Sequence, residues 1–245
     1  MKELKTEGIV LARAEYRDYD RMVTILSPEH GRLDALARGV RKPSAKLRSA
    51  AETFTRGEFL LAANGDRLTL IGFIPIEGYF AIREDILRLS LAGYCAAITL
   101  AATQHSLPAR ELYAALSDML GCCCDNAADP FSAALFFLTR FAELEGIAPC
   151  LEYCAICRKE VAENKRFSYL SGGLCHEGCA ADAFPISDSM LATLIQYTGQ
   201  AAPHCAPPNV REAFGLARRY IRAQLGFGLK AEKVLDEMLY GYGGG

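Results

Sequence analysis

The hydrophobic pattern of this chain changes character near residue 80. Before that point, apolar and β-branched residues come in short runs broken by polar turns. Leu4 to Ala14, Met22 to Leu26, Arg32 to Arg38, Phe54 to Ala62 and Arg67 to Ile74 each read as a strand. Ser27-Pro28-Glu29-His30-Gly31 supplies turn residues between the second and third runs. Asn64-Gly65-Asp66 joins the last two, and Asn-Gly signals a hairpin because both residues tolerate positive φ. Five short strands separated by polar turns predict a small closed barrel.

Beyond residue 80 the apolar positions recur at helical spacing. Ile86, Leu89, Ala92, Gly93, Ala96, Ala97 and Leu100 mark a helix over Arg83 to Thr103. Pro108 opens a second helix that runs to Leu120. Asp129-Pro130 caps a third, which ends at Glu145 before Gly146. Ser187 reads as the N-cap of a helix to Thr198, and two more follow over Val210 to Leu225 and Leu229 to Tyr240. Pro203, Pro207 and Pro208 form a loop, and Gly243-Gly244-Gly245 reads as a frayed tail. No internal repeat is visible. The expected class is α+β: a barrel over residues 1–80, then a helical domain over 81–245 with a cysteine-rich insert.

Composition agrees with a folded chain. Of 245 residues, 51% are hydrophobic and 23% charged, which is globular and not disordered. The N-terminus MKELKTEGIV lacks the long apolar run of a signal peptide. Leu91 to Ala102, the longest nearly apolar stretch, falls short of the roughly 20 residues that span a bilayer. A cytoplasmic protein is expected.

In that compartment, ten cysteines are reduced thiols or metal ligands more often than disulfides. Cys154-Ala-Ile-Cys157 and Cys175-His-Glu-Gly-Cys179 approximate a paired-knuckle zinc site, in which two loops each present two thiolates at about 2.3 Å from the ion. Arg166-Phe-Ser-Tyr-Leu-Ser-Gly-Gly between them reads as a short hairpin, and Arg158, Lys159, Lys165 and Arg166 would offset the charge of a four-thiolate centre. The bland alternative is four buried free cysteines. The second pair is spaced C-x3-C, which leaves His176 as a substitute ligand, with Cys150 as an outsider. Cys122-Cys123-Cys124 ends a helical pattern and reads as small apolar packing.

Charge matters through its placement. The formal net charge is -2, yet Arg32, Arg38, Arg41, Lys42, Lys46 and Arg48 face only one acid, Asp34, within the same stretch. A basic run is most often a solvated face. Here it leaves the end of a barrel strand and enters a loop with Gly39, Pro43 and Ser44, offering side-chain charges, backbone N–H groups and a hydroxyl to phosphate oxygens. OB-type barrels bind single strands with basic loops along the backbone and aromatic rings against the bases. Tyr16, Tyr19, Phe54, Phe59 and Phe73 are the candidate rings. Each alone fits the core, and Tyr16 and Tyr19, in a charged loop, fit a stacking role best.

Enzyme signatures are missing. There is no G-x-x-x-x-G-K-[ST], no G-x-S-x-G and no H-E-x-x-H, and Tyr153 stands where a P-C-x-x-C deaminase site needs its second cysteine. A zinc ion with four protein ligands has no open position for an activated water. The chain is expected not to be an enzyme.

Several stretches together resemble the RecO family of bacterial recombination mediators. They are Thr6-Glu-Gly-Ile-Val-Leu11, Ser27-Pro-Glu-His-Gly-Arg32, Ala37-Arg-Gly-Val-Arg-Lys-Pro-Ser44, Phe80-x-x-x-Glu84-Asp-Ile, Arg140-Phe-Ala-Glu-Leu-Glu-Gly-Ile-Ala-Pro149, the four cysteines and Gly172-Gly173. The resemblance implies an N-terminal OB-fold and a C-terminal α-helical domain with a zinc finger at residues 150–182. It implies binding of single- and double-stranded DNA, strand annealing, and partnership with RecR and the acidic C-terminal tail of single-strand-binding protein. Through these it implies loading of RecA and a nucleoid-associated place in the cytoplasm. The family's basic loop falls on Arg38, Arg41, Lys42, Ser44 and Lys46, with Arg32 and Arg48 flanking it, and its zinc ligands on Cys154, Cys157, Cys175 and Cys179. Arg140 and Lys230 are the cations offered for the partner tail. The alternative reading is a zinc-containing OB-fold protein that binds RNA or acts in transcription.

Overall fold

Five strands close on themselves because the first is long enough to pair with two neighbours in succession. The computed structural model describes residues 2–125, 127–198 and 206–241; the expected loop residue Pro203 and the tail Gly243–Gly245 lie outside them. β1 (Lys2–Tyr16) pairs with β4 (Arg56–Asn64) along its first half and with β2 (Asp20–Ser27) along its second. A register shift between Val10 and Ala12 bends it between the two partners. β2 pairs with β3 (Gly31–Ala37), and β4 with β5 (Arg67–Glu77). A short parallel contact of Ala35 with Leu68 and Leu36 with Thr69 closes the order β1-β2-β3-β5-β4. This is the OB-type barrel, with the strand periods and both hairpins where the hydrophobic pattern places them.

The barrel interior shows why. Successive side chains on a strand face opposite sides, so Leu33, Ala35 and Ala37 of β3 are buried while Arg32, Asp34 and Leu36 are half-exposed. They join Val10, Val23, Ile25, Phe59, Leu61 and Leu70 in one core, which Val40, Ala50 and Ala51 of the β3–β4 connection also enter. Phe54 departs from expectation. It precedes the strand in a left-handed turn at φ 64, is 1% exposed, and its N–H donates to Val10 O at 2.7 Å.

The first expected helix is two helices. α1 (Phe80–Glu84) stops at Asp85, whose carboxylate accepts from Leu87 N at 2.8 Å and Arg88 N at 3.1 Å and so caps α2 (Ile86–Ala102). α3 (Arg110–Cys124) runs further than expected and carries Cys122-Cys123-Cys124 in its last turn, with Cys123 buried. These helices share a compact unit with the barrel, comprising residues up to Cys124 and those from Val234.

Residues Asp125–Lys233 form the second unit. Its central helix, α4 (Pro130–Leu144), starts at the expected cap, Asp129 accepting from Ser132 N at 3.0 Å. It is apolar around most of its circumference and correspondingly buried, Leu135, Phe137, Leu138 and Phe141 being inaccessible. α5 (Asp188–Tyr197), capped by Ser187, and α6 (Val210–Leu225) belong with it; Ser132 Oγ and Tyr197 OH lie 2.6 Å apart, and the Phe131 and Phe214 rings 5.6 Å. Between α4 and α5 the insert forms a three-stranded sheet of β6 (Arg166–Ser168), β7 (Gly173–Cys175) and β8 (Phe184–Pro185). α7 (Lys230–Tyr240) ends the described chain.

Candidate nucleic-acid interface and metal centre

The basic connection between β3 and β4 is clamped to the tip of the β1–β2 hairpin. Gly39, at φ 64, donates its N–H to Asp20 Oδ1 at 2.7 Å, and Arg41 N donates to Tyr19 O at 3.0 Å. Arg41 Nη2 pairs with Glu15 Oε2 at 3.2 Å, and Nη1 reaches Arg17 O at 3.5 Å. Arg48 Nη2 donates to Lys42 O at 2.8 Å and ties the exposed loop to itself. Arg41 and Arg48 therefore spend part of their donor capacity on the protein. Arg38, Lys42, Ser44 and Lys46 are exposed, and Arg38 and Lys46 have no ion-pair partner among the described residues.

The hairpin tip brings rings to the same place. Tyr16 is 41% and Tyr19 53% exposed, the Arg17 guanidinium lies 5.2 Å from the Tyr16 ring centre, and Lys42 Nζ lies 5.4 Å from that of Tyr19. Phe54 and Phe59 are buried, and Phe73 packs against Phe59 at 4.8 Å, so these three belong to the core. Arg17 is a surface cation that the charge count around residues 32–48 does not reach. Its signal was the run Tyr16-Arg17-Asp18-Tyr19 in a hairpin tip.

Arg32 stands apart. It lies at the far end of β3 from the loop, where Nη2 pairs with Asp34 Oδ2 at 3.1 Å and its N–H donates to Gln104 O at 3.2 Å. The two alternate positions share a strand face, which makes the pair local. What the loop and hairpin tip offer together is a set of free cations beside two accessible rings, the means by which proteins hold a phosphate backbone and stack its bases.

In the second unit, Cys154, Cys157, His176 and Cys179 converge, their ligand atoms all within 4.8 Å of one another. The knuckle closes through Arg158 N donating to Cys154 O at 2.9 Å, with Arg158 left-handed at φ 63. Ala155 N donates to Leu174 O at 2.7 Å and fixes the knuckle to β7, while Cys179 N donates to His176 O at 3.2 Å across a turn with Gly178 at φ 82. Cys175 is not one of the converging four. It is buried in β7 next to Cys154, and burial, with the Cys154 and Cys179 thiols beside it, pushes it up to about 11. Cys175 is the last residue of β7 and its thiol donates to Gly173 O at 3.5 Å, whereas His176 follows the strand and its ring joins the cluster. Cys150 donates to Tyr153 O at 3.2 Å and stays outside.

The donors suit a soft divalent ion. A tetrahedron with arms of about 2.3 Å has edges of about 3.8 Å, close to the spacing present. His176 Nε2 donates to Glu160 O at 2.8 Å, which leaves Nδ1, 3.4 Å from Cys157 Sγ, with its lone pair toward the cluster. Burial raises the Cys154 thiol, but backbone N–H groups of Cys157, His176 and Ile156 outweigh it and hold the group at about 5, so the thiolate is ready to ligate. Three of the neighbouring cations are engaged elsewhere: Arg158 lies 5.5 Å from the Tyr153 ring, Lys165 pairs with Asp188 at 2.6 Å and Arg166 with Glu177 at 3.6 Å. A Cys3His cluster able to hold one metal ion is therefore present.

Arg140 is paired with Glu143 at 2.9 Å along α4, and Lys230 is exposed in the first turn of α7. Arg219, Arg222 and the exposed Phe227 line a cavity of about 370 Å³ at the end of α6, a cationic and aromatic hollow that no motif announced. No helix among the described residues is long and apolar enough to cross a membrane.

The sequence was compared with known families and proteins. Residues 1–78 match the model for the recombination protein O N terminal region, and residues 83–233 that for its C terminal region. A DNA repair protein RecO of Anaeromyxobacter dehalogenans strain 2CP-C is 33% identical over 250 residues, covering 97% of this chain and 98% of that protein. Those of Myxococcus xanthus and Moorella thermoacetica are 30% and 34% identical, covering 94% and 71% of this chain. With an OB-type barrel, a helical region bearing a Cys/His cluster and family matches over both halves, the chain belongs to the RecO family of DNA repair proteins.

Proposed function

We propose that this protein is a recombination mediator that binds single- and double-stranded DNA, anneals complementary strands and, with RecR, helps load RecA onto DNA coated with single-strand-binding protein. The observation that supports the reading is the surface where the β3–β4 loop meets the β1–β2 tip: Arg17 lies over the Tyr16 ring and Lys42 over the Tyr19 ring, and Arg38, Ser44 and Lys46 are exposed on the same loop as Lys42. Cations there screen the repulsion between two phosphate backbones, and each neutralised phosphate releases counterions. The rings hold one strand's bases apart from its own stack, ready for the complement. No bond is made or broken, so the protein acts by binding and not as an enzyme.

The division of labour proposed is a DNA-binding OB barrel over residues 1–80 and a helical region over 81–245, of which the part up to Cys124 and from Val234 shares the barrel's compact unit. In the second, Cys154, Cys157, His176 and Cys179 would hold a structural Zn2+, which supplies cross-linking of two loops and no chemistry. Arg140 and Lys230 are the cations offered to the acidic tail of single-strand-binding protein, and Arg219 and Arg222 beside the exposed Phe227 offer a second site for it, Arg140 being paired with Glu143 at 2.9 Å and Arg222 with Glu232 at 3.9 Å. Such a protein works on chromosomal DNA in the cytoplasm.

The test is annealing of complementary strands coated with single-strand-binding protein, with and without its tail. Acceleration that depends on the tail supports the reading. Tight RNA binding without annealing would favour the RNA-binding alternative instead.

A further inference from the structure

The chain from Ile71 to Ile86, where β5 turns into α1 and α2, keeps an apolar surface on the outside of the barrel unit. Ile74 is 59% exposed, Ile76 49%, and Phe80 and Ile86 68% each, with Ile71 and Pro75 exposed beside them. Exposed apolar residues scattered singly are ordinary, but a run of them at one corner of a fold marks an interaction surface. We propose that this corner docks an amphipathic segment of a partner protein that carries lysine or arginine beside its apolar face.

The β4–β5 ladder explains why the isoleucines are outside. Leu61 faces Leu70 and Leu60 faces Gly72, so Ile71 is bulged and the alternation inverts there. Leu70 belongs to the core, whereas Ile74 stands on the outer face opposite Glu58. A second bulge falls at Ile76, between the pairs of Pro75 with Gly57 and Glu77 with Arg56. β3 meets β5 only at Leu68 and Thr69, and from Leu70 to Ile76 the described backbone bonds go to β4 alone. This open edge is blunted, because Pro75 has no N–H to give and the bulges break the spacing an added strand needs. The contact is therefore made by side chains. The corner that presents them is firm: Glu77 Oε1 accepts from Gly78 N at 2.8 Å and Tyr79 N at 3.1 Å. Arg83 donates to Thr53 O at 2.7 Å and Gly78 O at 2.8 Å, and its guanidinium lies 4.8 Å from the Phe80 ring centre.

Charge selects the occupant. Glu77, Glu84 and Asp85 are exposed, and Arg83, the one cation between Ile71 and Leu87, has both Nη groups on backbone carbonyls. Across the ladder, Lys5 pairs with Glu58 at 2.8 Å and Arg56 with Glu7 at 2.7 Å. An apolar surface with such a rim repels phosphate and attracts a cationic segment. Six exposed apolar side chains also fall short of the roughly 20–30 residues that each partner brings to a standard interface. A short segment fits this corner better than a second copy of the chain.

The experiment uses the full chain and two short labelled helical peptides of the same pattern, one of leucine and lysine and one of leucine and glutamate, with binding read by fluorescence anisotropy. The wild type is expected to bind the lysine peptide at least about tenfold more tightly than the glutamate peptide. Ile74→Ser and Ile86→Ser are each expected to weaken the lysine peptide about tenfold, and Glu84→Lys to narrow the preference between the peptides about threefold. Affinity for single-stranded DNA is expected to stay at the wild-type value in both isoleucine variants. Circular dichroism checks that each variant folds, and either isoleucine variant alone suffices for the comparison. Failure of the wild type to bind the lysine peptide overturns the proposal, as does equal binding by wild type and the isoleucine variants. A wild-type dimer that Ile74→Ser dissociates, seen by sedimentation, would assign the corner to a second copy and overturn it too.

Discussion

Lys42 Nζ lies 5.4 Å from the centre of the Tyr19 ring, and the backbone ties the same two segments together through Arg41 N donating to Tyr19 O at 3.0 Å. A cation from one loop and an aromatic ring from another thus form one exposed pair. Tyr19→Ala is expected to weaken single-strand binding by about 1–3 kcal/mol, with Tyr19→Phe near wild type and duplex affinity changed less. Fluorescence titration against single-stranded and duplex oligonucleotides checks it. Equal losses on both would show that the ring supports the loop and does not stack on bases.

The same arrangement ranks the cations. Arg38 and Lys42 have exposed charged ends, whereas Arg41 is shared with Glu15 at 3.2 Å. Arg38→Ala with Lys42→Ala should lower the slope of log affinity against log salt by about 2, and Arg41→Ala alone by less than about 1. Binding isotherms over a salt series give both slopes. An unchanged slope in the double variant would place the phosphate contacts elsewhere.

Glu7 gives the barrel unit an acid-sensitive latch. Its Oε1 accepts from Tyr113 OH at 2.7 Å and Arg56 Nε at 2.8 Å, and Arg56 Nη1 continues to Ser117 Oγ at 3.1 Å. Burial raises the carboxyl, but these donors outweigh it and hold the group below its ordinary 4.5. A carboxylate depressed in the folded state contributes stability that is complete above 4.5 and drains away as pH falls through the lower folded value. Glu7→Gln should cost about 1 kcal/mol near neutrality, allowing for solvent screening of a partly exposed pair. Denaturant midpoints of the two proteins should converge on acidification; parallel curves would exclude the latch.

Two left-handed glycines provide a controlled comparison. Gly31 has φ 62, and a Cβ there would lie 2.1 Å from Leu107 O and 2.7 Å from Gln104 O. Gly65 has φ 59 with nothing within 4 Å. Gly65→Ala is expected to cost about 1 kcal/mol from backbone strain alone, and Gly31→Ala at least about 2 more because both obstacles are backbone. Urea unfolding measures the pair. Similar losses would mean that the segment from Gln104 to Leu107 yields freely.

Chelation should act locally. Removing metal is expected to release one ion per chain and to expose the amides of residues 150–182 to hydrogen exchange, leaving the barrel strands protected. Protection unchanged in the insert after complete metal loss would show that its own packing, including Phe167 against Tyr220 at 5.8 Å, is sufficient.

What was legible along the chain was local. The Asn64-Gly65 turn, the caps at Asp129 and Ser187, and the strand runs all depend on residues within a few positions of one another, and all appear in the structure. Apolar spacing continues through Asp85 and conceals the break there, although its carboxylate is a strong cap. The apolar neighbours of Phe54 likewise conceal its positive φ.

By itself, the order of residues determined the barrel's strand runs, the helical character beyond residue 80, the basic loop and the supply of thiols. Tertiary structure alone decided which of those groups meet. Arg32 is turned to Asp34 and Arg41 to Glu15, Arg17 joins the cationic surface from a different hairpin, and His176 faces the cluster where Cys175 was expected. The physical reason is one of range: propensity, capping and periodicity act over a few residues. Ion pairs and metal sites depend on distances between side chains that only the closed fold brings together.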